Sequence, residues 1–366
     1  MIKTIAVLGA GHGGHAAAAD LTRRGFDVTL HARSAKSFEP IRERGGIVMR
    51  GIHNGLVPFA NVTTDIREAV SDADLIILVV PSIAHESYAR LLASVLHPEQ
   101  ILFLDPGHTG GGLHLVNELR LAGYREPVQS CETVTLTYIC RMEGPAIVNV
   151  YCYTKQLAFA AFPGRNAARL FELMRPVFPE IVPASSVLET ALANINAIFH
   201  PPAMLMNAGW IEHTGGDFLF YREGVTESIG RVTKAVDVER MRVAEALGIP
   251  NTTFLEIFLR AGLTTADAAQ SGSIARACRE SEPNRKIKSP PSLNHRYVHE
   301  DVGFGLVPFS ELGRLAGVET PTIDSLIVLA GMSLGVDFRK TGLTLDRMGL
   351  AGKTSTELDS FLELGH

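Results

Sequence analysis

Two stretches in the second half of the chain bring together side chains that can move protons and hold anions. In Asn196-Ala-Ile-Phe-His200-Pro201-Pro202 the asparagine and the histidine are four positions apart and would share one helix face. The two prolines are expected to stop or kink that helix, which leaves His200 at a terminus. An imidazole so placed can serve as a general acid or base, or simply pack at the kink. In Asn294-His-Arg296-Tyr-Val-His-Glu-Asp301 the arginine can clamp a carboxylate bidentately and the aspartate can orient a histidine. His295, His299 and Glu300 in the same run have a spacing that could ligate a metal. No Cys or His companion at a matching interval occurs elsewhere, so no metal is expected.

A third pattern opens the chain, in LGAGHGGHAAAADL from Leu8 to Leu21. Gly9, Gly11 and Gly14 make G-x-G-x-x-G between a strand-like Ile5–Leu8 and a helix-like Gly14–Arg24, the context a dinucleotide loop requires. Gly9 permits the tight turn, Gly11 the close approach of a pyrophosphate, and Gly14 the packing of helix on strand. The phosphates would sit on the free N–H groups of the helix start. His12 and Gly13 complete the loop, and His12 is expected beside the phosphates or the nicotinamide ribose. A metal between His12 and His15 would compete with those phosphates for space. The alanine run imitates a secretion signal, but the glycines interrupt the apolar region of about 7 to 15 residues that such a signal needs.

The elements that must position these residues fall into two groups. Up to Pro183, short apolar runs alternate with helix-like segments, the pattern of a parallel sheet covered by crossover helices. Phe26–His31 reads as the second strand, Asn54-Gly55 as a hairpin turn, and Leu75–Val80 and Ile101–Leu104 as buried strands closed by Pro81 and Pro106. Ligands collect outside the carboxyl ends of such strands, so Pro81, Pro106 and Gly107 are expected near the cofactor. The second strand ends in Leu-His-Ala-Arg33-Ser34, where NAD-binding loops carry an acid for the ribose. Arg33 and Ser34 could instead hold the 2′-phosphate of NADP, which makes NADP the preferred cofactor and NAD the alternative, with Arg33 stacked on the adenine. Beyond Pro183 the pattern is helical throughout. The expectation is an α/β protein: a Rossmann-type, doubly wound domain over residues 1–183 and an all-helical domain over 184–366.

Composition excludes several classes. The chain has 366 residues, 46% hydrophobic and 20% charged, with a formal net charge of -5 and scattered Lys and Arg. That is not the basic footprint of a nucleic-acid binder, so the expected partners are small molecules. The longest apolar runs, residues 75–80 and 326–331, fall far short of the ~20 residues that cross a bilayer, so no membrane is expected. Cys131, Cys140, Cys152 and Cys278 show no C-x-x-C spacing, which fits a reducing, cytoplasmic setting. The large apolar helical half makes a homodimer plausible.

Together these stretches resemble the octopine/nopaline (opine) dehydrogenase family, most nearly its bacterial members acting on N-(1-carboxyethyl)-amino acids. The resemblance runs through GHGGHAAAADL, LDPGHTGG, ICR at Ile139 to Arg141, NINAIFHP, LNHRYVHEDVGFGLVPFSELGRLAGVETPTID and DFRKTGLTLDRMGL, nearly the whole chain. It implies a cleft between the two domains where NAD(P)H meets its substrates, a catalytic histidine at His200, its carboxylate partner at Asp301 and a substrate-carboxylate arginine at Arg296. Asn196 falls on a family motif position and takes a supporting role, and Arg141 is a second arginine for a substrate carboxylate. The implied reaction joins an amino acid to a 2-oxo acid through an imine. Two positions depart from the family: His12, where Asn is frequent, and Arg33, in place of the acid of NAD-using members. A 2- or 3-hydroxyacid dehydrogenase of the ketopantoate reductase type shares the layout and is one alternative. A non-catalytic NADPH-binding sensor is the other.

Overall fold

The computed structural model describes residues 1–366, the side chain of Ser355 excepted. Two compact units are present. The first comprises Met1–Gly107, Gly111–Thr190 and Ser360–His366, the second His108–Gly110 and Ala191–Asp359.

The first unit is built on twelve strands: β1 Thr4–Leu8, β2 Asp27–His31, β3 Gly46–Gly51, β4 Gly55–Pro58, β5 Val62–Thr63, β6 Leu75–Leu78, β7 Ile101–Leu104, β8 Gln129–Thr133, β9 Tyr138–Gly144, β10 Ile147–Tyr153, β11 Leu157–Phe162 and β12 Ile181–Pro183. Eight of them form one sheet in the order β12-β11-β8-β7-β6-β1-β2-β5. All its pairs are parallel except β8–β11. The chain leaves β1 towards β2 and returns on the other side of β1 as β6, which makes the carboxyl ends of β1 and β6 the switch point where ligands bind. β6 and β7 are buried along their whole length, as strands covered on both faces must be.

The remaining strands form a second sheet, β4-β3-β10-β9, that the alternation of short runs does not reveal. Its β3–β4 hairpin is the expected one, but the chain reverses over Ile52–Asn54, and Gly55, with φ +138°, is already the first residue of β4 opposite Met49. The sheet packs on the apolar face of the glycine-loop helix His12–Arg23, and one buried carboxylate ties the two together. Asp20 accepts from the hydroxyls of Tyr138 (3.3 Å) and Tyr153 (3.0 Å), one from β9 and one from β10.

Among the described residues the second unit is helical apart from one isolated bridge, Leu219 to Lys288. Its long helix Glu227–Ala246 carries Arg240, whose side chain is fully buried. Arg240 pairs with Asp237 and donates to the Leu192 carbonyl at 2.7 Å, which fixes the chain just before the helix that bears His200.

The compact units differ from a single cut at Pro183 in two ways. The first unit continues to Thr190, because the Thr190 hydroxyl donates to the buried Glu132 of β8 at 2.5 Å. Its last residues come from the far end of the chain. Phe361 lies 5.2 Å from Phe162, and Arg120 donates to the Gly365 carbonyl.

Candidate active site

In the first unit the glycine loop has the shape of a phosphate cradle. Gly9 has φ +119°, and a Cβ there would stand 2.3 Å from the Val79 carbonyl oxygen beyond β6. A Cβ on Gly14 would meet the Gly9 carbonyl oxygen at 1.7 Å, and one on Gly13 would strike Leu136 and Val79 at 2.7 Å. At Gly11 a Cβ would meet nothing within 4 Å. The open space lies at the N-cap of the helix, where no side chain caps the backbone and the first turn holds no acid. These features fit a dinucleotide pyrophosphate.

Arg33 and Ser34 follow β2 on the surface, and the Ser34 hydroxyl makes no capping bond to the short helix it precedes. His12, expected beside the cofactor, accepts the Met142 N–H at 2.8 Å and so ties the loop to β9. Arg141, on the same strand, donates to the Cys140 carbonyl at 3.2 Å. Pro81 is exposed just beyond β6.

Pro106 and Gly107 are buried. The loop is organised by two carboxylates. Asp105 accepts from the Thr137 N–H (2.8 Å) and hydroxyl (2.6 Å), and Glu132 accepts from the Gly112 N–H (2.8 Å) and from Thr190. Burial pushes Asp105 up to about 6 and Glu132 up to about 7. A carboxyl raised above its unfolded value is favoured as the acid, so Glu132's contribution to stability is present below pH ~4.5 and lost as pH rises through ~7. Glu132→Gln keeps an acceptor for Gly112 and cannot ionise. The Tm gain of Glu132→Gln over the parent should therefore widen from pH 5 to pH 8, and melting curves at both pH values check it. A constant difference would show that Glu132 does not titrate across this window.

In the second unit His200 and Asp301 meet. His200 Nδ1 is 2.8 Å from Asp301 Oδ2, and both side chains are buried. Nε2 lies 3.1 Å from the Tyr221 hydroxyl, and the Tyr297 ring stacks on the imidazole with centroids 3.7 Å apart at 10°. His200 does not stand at a helix end. The helix Ile195–Met206 runs through Pro201 and Pro202, and His200 is mid-helix. The prolines remove the N–H groups that would reach the Ala197 and Ile198 carbonyls, but packing keeps the segment helical. The helix is capped by Asn194, whose Oδ1 accepts the Asn196 N–H at 3.1 Å and whose Nδ2 donates to Thr109 at 3.0 Å. Asn196 is half-buried one turn before His200.

Asp301 closes the helix Arg296–Asp301, which passes into a wider π-helical turn over Val302–Leu306. Such turns recur at functional sites because they re-aim side chains. Gly305 in this turn is what lets the two helices approach, since a Cβ there would lie 2.6 Å from the Ala197 Cβ. Arg296, half-exposed, is held by the buried Glu300 through Nε (3.1 Å) and an outer nitrogen (2.9 Å). Glu300 also faces His108 Nε2 at 3.8 Å. His108 is buried with φ +55°, and its imidazole is pushed down, chiefly by burial and against the pull of Glu300.

His295, His299 and Glu300 turn to separate partners. His295 Nδ1 accepts the Tyr297 N–H at 3.2 Å, and His299 Nε2 lies 2.8 Å from Asn294 Oδ1. Tyr221, Tyr297 and His108 complete these surroundings; Tyr297 and His108 lie inside the motifs quoted above, whereas Tyr221 carries no local signal in the sequence.

A dinucleotide loop at the switch point of a Rossmann sheet, with a buried His–Asp pair on a helical unit, is the equipment of an NAD(P)-dependent oxidoreductase. Comparison with known proteins narrows this. Residues 183–334 match the NAD/NADP octopine/nopaline dehydrogenase alpha-helical domain, and residues 5–114 match ketopantoate reductase PanE/ApbA. An opine dehydrogenase from Arthrobacter sp. (strain 1C) is 39% identical over 99% of both chains. The chain belongs to the opine dehydrogenase family. In fold it is similar to octopine dehydrogenase solved with NADH and L-arginine, at TM-score 0.79 and 20% identity over 97% of each chain. It is similar also to yersinopine dehydrogenase with NADP+, at TM-score 0.77 and 17% identity over 99% of this chain and 98% of that one.

Proposed function

We propose that the protein condenses an L-amino acid with a pyruvate-like 2-oxo acid to an imine and reduces it to a secondary-amine dicarboxylate, the reverse oxidation using the same groups. The observation that carries this reading is the 2.8 Å contact of His200 with Asp301, the residue that ends the helix begun by Arg296. Attack of the amine on the oxo-acid carbonyl gives a carbinolamine, whose hydroxyl must be protonated to leave as water. His200 supplies that proton, and Asp301 fixes its tautomer and stabilises the imidazolium, as a carboxylate does in a hydrolase triad. Arg296 holds a substrate carboxylate, its fork already oriented by Glu300, and Asn196 and Arg141 assist in binding. When bound, the reduced dinucleotide supplies the hydride to the imine carbon.

The loop Gly9–Gly14 would hold the cofactor, with His12, Pro81, Pro106 and Gly107 beside it. NADP is preferred, because Arg33 and the uncapped Ser34 hydroxyl are both at the surface after β2. Arg33→Ala should raise the KM for NADPH about tenfold, the worth of one charge-assisted contact to phosphate, and leave that for NADH unchanged. Equal effects on both cofactors would place Arg33 on the adenine instead. Four free thiols support a reducing, cytoplasmic setting.

The match of residues 5–114 to ketopantoate reductase favours one competing reading, reduction of an oxo acid without an amine. Oxidation of NADPH and NADH with 2-oxo acids crossed against amino acids, with mass detection of products, separates the two. Amine-dependent oxidation supports the condensation, and equal rates without amine overturn it.

A further inference from the structure

Both ring nitrogens of His200 are already engaged by the protein. Asp301 accepts the hydrogen bond of Nδ1–H, so Nε2 of the neutral ring carries the lone pair, and the Tyr221 hydroxyl 3.1 Å away donates to it. The imidazole cannot swing aside to free Nε2, because Tyr297 covers one face at 3.7 Å and Asp301 holds the opposite edge. Tyr221 is itself built in. Its ring stacks on Phe199 at 5.1 Å and 12°. The turn that delivers it is pinned on one side by the Phe220 N–H donating to the Ile287 carbonyl at 2.9 Å. On the other side Asn207, at the end of the His200 helix, donates to the Gly224 carbonyl at 2.7 Å. Gly224 fits there because a Cβ would meet the Phe220 carbonyl oxygen at 2.5 Å. The histidine and the tyrosine are thus fixed to one helix, and Tyr221 is 8% exposed.

Resting on the condensation reading above, we propose that Tyr221 is a catalytic residue, its hydroxyl being the group through which His200 exchanges its proton with the substrate. In the dehydration step the Tyr221 O–H proton passes to the carbinolamine hydroxyl while the Nε2 proton of imidazolium His200 passes to the Tyr221 oxygen. The C–O bond breaks, its electron pair leaves with water, and the nitrogen lone pair forms the C=N bond. Tyr221 ends as it began, and His200 ends neutral with Nδ1–H on Asp301. A phenol between base and substrate extends the reach of a ring that packing does not allow to move.

Tyr221→Phe removes the relay and keeps the stacked ring. With pyruvate and the most active L-amino acid of the panel, its kcat should fall about a hundredfold, as for loss of a positioned acid, with KM and the Kd for NADPH unchanged. Melting temperature shows whether the variant is folded. A second measurement needs no variant: single-turnover rates of the parent enzyme in H2O–D2O mixtures should curve with deuterium fraction, because more than one proton moves. A kcat within about twofold of the parent, a fall in kcat matched by a rise in KM, or a straight-line deuterium dependence overturns the role. A parent enzyme whose NADPH oxidation ignores the amine overturns the condensation reading and this proposal together. Amine dependence with an unimpaired Tyr221→Phe overturns this proposal alone.

Discussion

His200→Ala is expected to lower kcat about a thousandfold, within the range for removing a general acid, with the NADPH dissociation constant unchanged. The loss corresponds to about 4 kcal/mol of transition-state stabilisation. Cofactor binding should be spared because the glycine loop proposed to hold the dinucleotide, Gly9 to Gly14, belongs to the first unit and His200 to the second. The substitution has a structural cost as well, since it leaves the buried Asp301 carboxylate without its partner. His200→Gln separates the two effects. Its amide can still donate to Asp301 but cannot take or give a proton at neutral pH, so it should recover most of the Tm and none of the rate. Steady-state kinetics and melting curves on both variants read this out. A Gln variant with kcat near that of the parent would remove His200 from the chemistry.

Asp301→Asn is the second large effect. The substitution keeps volume, and its carbonyl can still accept from Nδ1, so the fold should hold. What disappears is the negative charge 2.8 Å from the ring, the feature that stabilises imidazolium. The expected result is a fall in kcat of about a thousandfold with little change in KM, because the charge matters in the transition state and not in substrate binding. Combined with His200→Gln the loss should not grow, since the two residues act as one unit. An additive double variant would show that Asp301 works separately from His200, for example through Arg296, which starts the same helix.

The glycine loop was legible in the sequence because its duties are local. Turn and helix start involve neighbours in the chain: Gly9 takes the positive φ of the turn, Gly14 packs against the Gly9 carbonyl, and Gly11 leaves open space at the helix start. The parallel strands were legible for the same reason, as short runs buried on both faces. The second sheet was not, because β3 and β10 pair across about a hundred residues and nothing in either strand names its partner. The helix of His200 continues through the prolines that locally favour ending it. Proline removes backbone donors, a local penalty, whereas contacts such as Gly305 against Ala197 are made far along the chain and outweigh it.

The sequence by itself determined the glycine-rich loop between β1 and its helix, the order of an α/β half before a helical half, and the residue types His200, Arg296 and Asp301, since each is a matter of chemistry at short spacing. Only the tertiary structure decided which groups meet. It joined His200 to Asp301 across 101 residues, set Glu300 behind Arg296, returned the last residues of the chain to the first unit, and brought Tyr221 to Nε2. The physical reason is that these contacts depend on helix packing and turn anchoring. Those are properties of the whole buried interior, and no local run of residues encodes them.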